Sequence, residues 1–159
     1  MIERTLVLIK PDGVARGLAG RIIQRLEDTG MKIVGMKMVW IDREFAKRHY
    51  RAHIKKFFYP TLESYVTSGP VIAICVEGVH SVENVRKLVG STSPREAKPG
   101  TIRGDFAHYS TEYADKKNKA AANLIHASGS PEEAKEEVAL WFTDRELHSY
   151  KTVHEVHTL

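Results

Sequence analysis

The chain has 159 residues, 42% of them hydrophobic and 28% charged, a balance that excludes both a disordered polypeptide and a membrane-spanning one. Its longest apolar runs, Leu6 to Ile9 and Val71 to Val76, are too short to cross a bilayer, and MIERTLVLIK does not read as a secretion signal. Lys and Arg total 24 against 20 Asp and Glu, so a net charge of +4 points to anionic partners without naming them. The length suits one domain over 1–159, and the single cysteine, Cys75, can form no internal disulfide, which makes a reducing, cytoplasmic setting the expectation.

In chain order, Thr5 to Ile9 reads as a strand ending at a turn over Lys10-Pro11-Asp12-Gly13. Leu18, Ile22 and Leu26 recur at helical spacing, and Gly30 stops that helix. Met31 to Trp40 alternates as a second strand, with Val34, Met36, Met38 and Trp40 expected on one side. Asp42 caps a helix through Phe45 and His49, Pro60 to Thr67 forms a short one, and Val71 to Val76 is a third, wholly apolar strand. Ser81 to Val89 is a helix closed by Gly90. Ser91 to Ser110 has no sustained period, a long loop of the kind that carries function. Ala114 to Ile125 has helical composition, interrupted at Asn118 and Lys119. Ser130-Pro131-Glu132-Glu133 predicts a capping box opening a helix through Trp141 and Phe142. The pattern is one α+β domain with an antiparallel or mixed sheet.

No phosphate-binding glycine loop, dinucleotide fingerprint, serine elbow or CxxC metal clip is present. His49 and His53, four apart, make at most half a metal site, and His154 and His157 in the tail read as solvated. Asn123-Leu124-Ile125-His126-Ala127-Ser128 differs, because it sets a histidine just before a capped helix among small residues. A helix N-terminus favours negative charge, and neutral imidazole is a competent nucleophile once a partner orients it. Glu137, one turn beyond Glu133, is a candidate partner.

Thr5 to Val14, Lys98-Pro99-Gly100-Thr101-Ile102-Arg103-Gly104-Asp105-Phe106 and Asn123 to Ser128 resemble the nucleoside diphosphate kinase family. The likeness extends to His49-Tyr50, Phe58-Tyr59-Pro60, Ser68 to Val71 and Arg86 through Pro94, and spans Thr5 to about Lys151. The resemblance implies a ferredoxin-like βαββαβ fold, a four-stranded antiparallel sheet with helices packed on one face. It implies ping-pong transfer of the terminal phosphate of a nucleoside triphosphate, mainly ATP, to a nucleoside diphosphate through a phosphohistidine. By residue-by-residue match the nucleophile is His126, with Glu137 orienting it and Ser128 beside it. Lys10, Tyr50, Arg86, Thr92, Arg103 and Asn123 line the phosphate path, while Phe58 stacks on the base with Leu62 near it. Mg²⁺ is implied, held mainly by nucleotide phosphates, and members are homo-oligomers, usually hexamers and sometimes tetramers.

Two departures stand out. Tyr109 through Lys119 is an apparent insertion that disturbs the alignment of the small apolar residue expected near Ala120 on the second face of the base. Ala127 and Gly129 stand where glycine and aspartate are common. A basic nucleic-acid module is the second reading, and an inactive assembly protein the third. An aromatic content of 8% and the lack of a strand with interleaved aromatics argue against nucleic acid as the main partner, and the intact His126 set argues against inactivity.

Overall fold

The computed structural model describes residues 1–158. β1 (Ile2–Ile9) leads through α1 (Pro11–Ala15) and α2 (Ala19–Glu27) to β2 (Lys32–Val39), which is followed by α3 (Arg43–His49) and α4 (Tyr59–Val66). Next come β3 (Val71–Val79), α5 (Ser81–Val89), α6 (Ile102–Phe106), α7 (Thr111–Lys116), β4 (Ile125–Ala127), α8 (Pro131–Trp141) and α9 (Glu155–Thr158). The strands lie in the order β2-β3-β1-β4, and every neighbouring pair is antiparallel. This is the ferredoxin-like α+β arrangement.

Helices cover both faces of the sheet, not one. Leu6, Leu8, Ala73 and Cys75 pack with Ala46, Val66, Val138 and Trp141 of α3, α4 and α8, and with Tyr50 just after α3. Val7, Ile9, Ile72, Ile74 and Val76 pack with Ile22 and Leu26 of α2 and Val85 and Val89 of α5. Successive side chains of a strand alternate between faces, so two covered faces require the continuous apolar runs of β1 and β3.

The second strand departs from its expected pattern. A bulge between Ile33 and Gly35 places Val34 in the layer with Leu6 and Leu8, while Met36 and Met38 pair with Ile74 and Ile72 on the other face. β2 is an edge strand that α2 and α5 do not cover there, so Met36, Met38 and the following Trp40 are exposed, and Val34 does not share their side as the alternation had it. The tail covers the first part of that edge: His148 N–H donates to Val34 O at 2.7 Å, and the Tyr150 hydroxyl to Ile33 O at 2.6 Å.

Other expectations change where local sequence competes with context. The turn after β1 is a one-turn helix, α1, with Pro11 at its start. The aperiodic stretch from Ser91 contains a 3₁₀ turn, Pro94–Glu96, and α6, whose N-cap Thr101 accepts the Gly104 N–H. The helix expected over Ala114 to Ile125 lies earlier. Ser110 caps α7 by accepting the Tyr113 N–H, and Asn118 at φ +50° breaks the run. Ser130 does cap α8, accepting the Glu133 N–H at 3.2 Å, but the reciprocal half of the box is different. Glu133 accepts from the Gly129 N–H at 2.5 Å, one residue further back. In the tail, His154 is half-buried and its Nε2 lies 2.9 Å from Gly30 O, so it is not freely solvated.

Candidate active site

Three elements meet at His126. β4 pairs with β1 so that Leu8 faces His126, while α8 carries Glu137 back over the same strand. The approach to β4 is held by Leu124, a fully buried residue at φ +70°, a conformation costly for a branched side chain. Two hydrogen bonds hold it there: Lys10 N–H donates to Leu124 O at 2.8 Å, and Leu124 N–H donates to Asp12 Oδ2 at 3.1 Å. Asp12 in turn accepts from the Tyr65 hydroxyl. The strained turn before the histidine is therefore clamped by the start of α1.

His126 Nε2 lies 2.9 Å and 3.0 Å from the two oxygens of Glu137. An Nε2–H donated to that carboxylate commits this nitrogen and leaves the Nδ1 lone pair as the reactive one. The Ser128 hydroxyl donates to Glu137 Oε2 at 2.6 Å and accepts the Leu6 N–H at 3.2 Å, so the carboxylate is referenced to β1. Burial is the main influence on both partners. It lowers His126 to about 3, helped by the positive charge of Lys10, Arg103 and Arg86 and opposed by Glu133, and it raises Glu137 above its ordinary value. His126 is thus a neutral imidazole at physiological pH.

His126 opens into a cavity of about 790 Å³. Lys10, Tyr50, Phe58, Leu62, Arg86, Thr92, Arg103 and Asn123 all line it, with Ser128 and Glu137 behind the imidazole. Lys10 Nζ donates to Asn123 Oδ1 at 2.7 Å, and Asn123 Nδ2 donates to Thr92 O at 2.9 Å. Burial, then Arg103, lower Lys10 to about 7, against Asp12. Arg103 has three of its five donors on carbonyls, Asn123 O at 3.2 Å, Gly90 O at 3.1 Å and Ile125 O at 2.5 Å, so it braces the β4 approach as well as charging the cavity. Arg86 is exposed at the rim. The cavity carries a neutral imidazole, a concentration of basic side chains and also Phe58 and Leu62, just before and on α4. That combination is suited to holding an anionic phosphate chain with an attached planar group.

The inserted segment forms one wall of the same cavity. Thr111, Asp115 and Lys119 face it together with Ala120 and Ala121, while Ala114 is buried. Arg95 N–H donating to Tyr109 O at 3.0 Å and an Arg95–Glu112 ion pair at 3.6 Å fasten the insertion to the preceding loop. The structure also brings in two residues to which the sequence reading gave no role at this site. His49 stands edge-on to His126, and the Trp141 indole N–H donates to His49 Nδ1 at 3.1 Å. Trp141 follows Glu137 by one helical turn, a legible signal, whereas nothing in the spacing links His49 to His126. His53, proposed as its companion, lies in the 3₁₀ turn Arg51–His53, and the group with metal-ligand spacing is His49, His126 and Glu137.

Fold and site together define a phosphotransferase of the α+β class. The family model for nucleoside diphosphate kinase matches residues 3–147. The nucleoside diphosphate kinase of Pyrococcus horikoshii is 53% identical over 148 residues, covering 93% of this chain and 90% of that protein. The enzyme of Archaeoglobus fulgidus is 49% identical, covering 97% and 95%. Among solved structures, a transition-state mimic of the Borrelia burgdorferi enzyme with bound vanadate and ADP aligns at a TM-score of 0.95 and 40% identity, covering 99% of this chain and 96% of that one. The Halobacterium salinarum enzyme in complex with CDP aligns at 0.88 and 43%, covering 98% and 97%. The chain belongs to the nucleoside diphosphate kinase family, and it is an enzyme of that class.

Proposed function

We propose that this chain moves the terminal phosphate of a nucleoside triphosphate, mainly ATP, to a nucleoside diphosphate in two half-reactions through a phosphohistidine on His126. The observation that carries this reading is the pairing of His126 Nε2 with Glu137, which leaves Nδ1 as the nucleophile. In the first half-reaction the Nδ1 lone pair forms a bond to the terminal phosphorus. The bond from that phosphorus to the bridging oxygen breaks, and the electron pair leaves with the nucleoside diphosphate. The imidazole gains positive charge as it reacts, and Glu137, oriented by Ser128, offsets it through the Nε2–H. The second half-reaction reverses these steps onto another diphosphate. Charge on the transferring group is spread over its equatorial oxygens, so Lys10, Arg86 and Arg103 act by placing fixed positive charge around them, with Tyr50, Thr92 and Asn123 completing the path. Phe58 offers a face on which any base stacks, with Leu62 beside it.

Mg²⁺ would come with the nucleotide, held by its phosphates rather than by protein side chains, and would offset charge on the transferring group. The protein groups fit that division: the one His/Glu cluster with ligand spacing among the described residues is a nitrogen-rich set lying next to Lys10 and Arg103, a poor home for a hard cation. The chain is further proposed to work as a homo-oligomer, a hexamer before a tetramer, in the cytoplasm. The exposed Met36 and Met38 on the edge strand and Trp40 just after it support self-association. No described helix is long and apolar enough to span a membrane. Brief exposure to ATP and Mg²⁺ is expected to leave an acid-labile phosphate on the protein and none on His126→Ala. A variant that still exchanged phosphate at the normal rate would remove His126 from the reaction.

A further inference from the structure

His49 is a second histidine at the site, and the reaction as described makes no use of it. Its side chain is 1% exposed at the last residue of α3. The His126 ring stands edge-on to it at 4.8 Å between centroids and 82° between planes, with Tyr50 at 4.5 Å and Trp141 at 5.5 Å. Trp141 Nε1–H donates to His49 Nδ1 at 3.1 Å. An indole nitrogen only donates, so Nδ1 must hold a lone pair and the ring proton sits on Nε2, which is buried with no hydrogen-bond partner. The same Nδ1 is 3.7 Å from Glu137 Oε1.

We propose that His49 is a positioning residue for phosphoryl transfer: kept uncharged by burial and held with its Nδ1 lone pair on the Trp141 indole, it walls one side of the His126 ring and leaves the Glu137 carboxylate undivided between His126 and Ser128. The inference rests on His126 as phosphocarrier. A protonated His49 would offer Glu137 a competing ion pair and would repel the positive charge that develops on His126. The charged and titratable groups facing His49 come from every element around it. His126 on β4, Lys10 at the end of β1 and His53 after α3 oppose its protonation, and Glu137 on α8 favours it. Burial is the largest influence and holds His49 to about 3. A metal role for the His49, His126 and Glu137 group is disfavoured, because His49 Nδ1 is taken by the indole and Glu137 by His126 and Ser128.

Two measurements on the whole protein test this. In ¹⁵N-imidazole NMR of the resting enzyme, His49 is expected to show an unprotonated Nδ1 and a protonated Nε2, and a proton on Nδ1 overturns the inference. Phosphate exchange is then followed against pH. Trp141→Phe keeps an aromatic ring but loses the donor and leaves a smaller side chain, which frees Nδ1 to take a proton and pair with Glu137 Oε1, 3.7 Å away. Its kcat is therefore expected to fall about tenfold at pH 6 and much less at pH 8, with KM changed less than about twofold. The double variant Trp141→Phe/His49→Gln is expected to lose that pH dependence, because glutamine does not ionise. A Trp141→Phe enzyme with the wild-type pH profile overturns the proposal. Should that variant not fold, His49→Ala and His49→Gln decide: glutamine, whose carbonyl can accept the indole N–H, is expected to recover most of the kcat that alanine loses. Equal rates for alanine and the wild type would overturn it. A wild-type protein without exchange activity would instead remove the phosphocarrier reading and leave the tautomer result standing.

Discussion

At the scale of single residues, chemistry here depends on which protonation state burial imposes. Lys10 sits at the end of β1 with its ammonium on Asn123 and near Arg103, and burial brings it down to about 7. In the unfolded chain it titrates near the ordinary value for lysine, so between about 7 and 10.5 the unfolded state binds the extra proton and this residue's contribution to stability rises with pH. In the proposed function a polyphosphate lies beside this side chain, and its negative charge would restore the ammonium. Nucleotide binding at pH 8, measured by calorimetry in buffers of different ionisation enthalpy, is therefore expected to take up as much as about one proton per site. Lys10→Met is expected to abolish the uptake, and an unchanged uptake in that variant would take the proton away from Lys10. His126 stood out as a candidate nucleophile because small residues before a capped helix leave room for an anion, and the family resemblance carried the assignment from candidate to proposal. Its tautomer was not legible, since that depends on where α8 sets Glu137 against β4.

At the scale of elements, boundaries written in local chemistry could be read directly. Ser81 to Val89 is helical between exactly those residues and closes at Gly90, whose φ of +87° suits glycine. Ser130 and Pro131 open α8 as the pattern predicts. The bulge in β2 had no such signal, because alternation in sequence assumes an unbroken pleat. It depends on Gly35, where an added Cβ would lie 2.8 Å from Leu147 Cδ2 and 2.9 Å from Glu146 O of the returning tail. Gly35→Ala is expected to lower unfolding stability by about 1–3 kcal/mol, as an overpacked core does, read as a shift in the urea midpoint with unchanged slope. A variant as stable as the parent would show that the tail does not press on the bulge. The inserted α7 belongs at this scale too, since its capping serine was present in the sequence but the composition after it pointed to a later helix.

For the molecule as a whole, two buried neutral histidines on different elements share one consequence. His49 and His126 both sit near 3, well below the ordinary value of 6.5, so on acidification the unfolded chain takes up their protons first. Stability is expected to fall as pH drops from about 6.5 toward 3, with unfolding taking up roughly two protons near the middle of that window. The raised Glu137 carboxyl binds its proton earlier in the folded state and removes part of this slope near its own titration. Urea midpoints at a series of pH values check this, and His49→Gln is expected to flatten the slope by about one proton. No change in slope would mean that His49 is protonated in the folded protein. The open half of the sheet edge gives a second expectation: Met38→Glu should shift the sedimentation profile toward smaller species, and an unaltered profile would place the contact between copies elsewhere.

By itself the sequence determined what depends on neighbours along the chain: the apolar runs of β1 and β3, the caps of α3, α5 and α8, and the motif residues around His126. It also carried the family, because motif order and spacing survive in one dimension. The tertiary structure alone decided what depends on residues brought together from afar. His49 and Trp141 are 92 positions apart and share a hydrogen bond, and Lys10 reaches Asn123 across 113. The exposed Met36 and Met38, the second covered face of the sheet and the wall built by Thr111 and Asp115 are of the same kind. A side chain's burial, and with it the protonation state that the chemistry needs, is a property of the packed layers and not of the local segment.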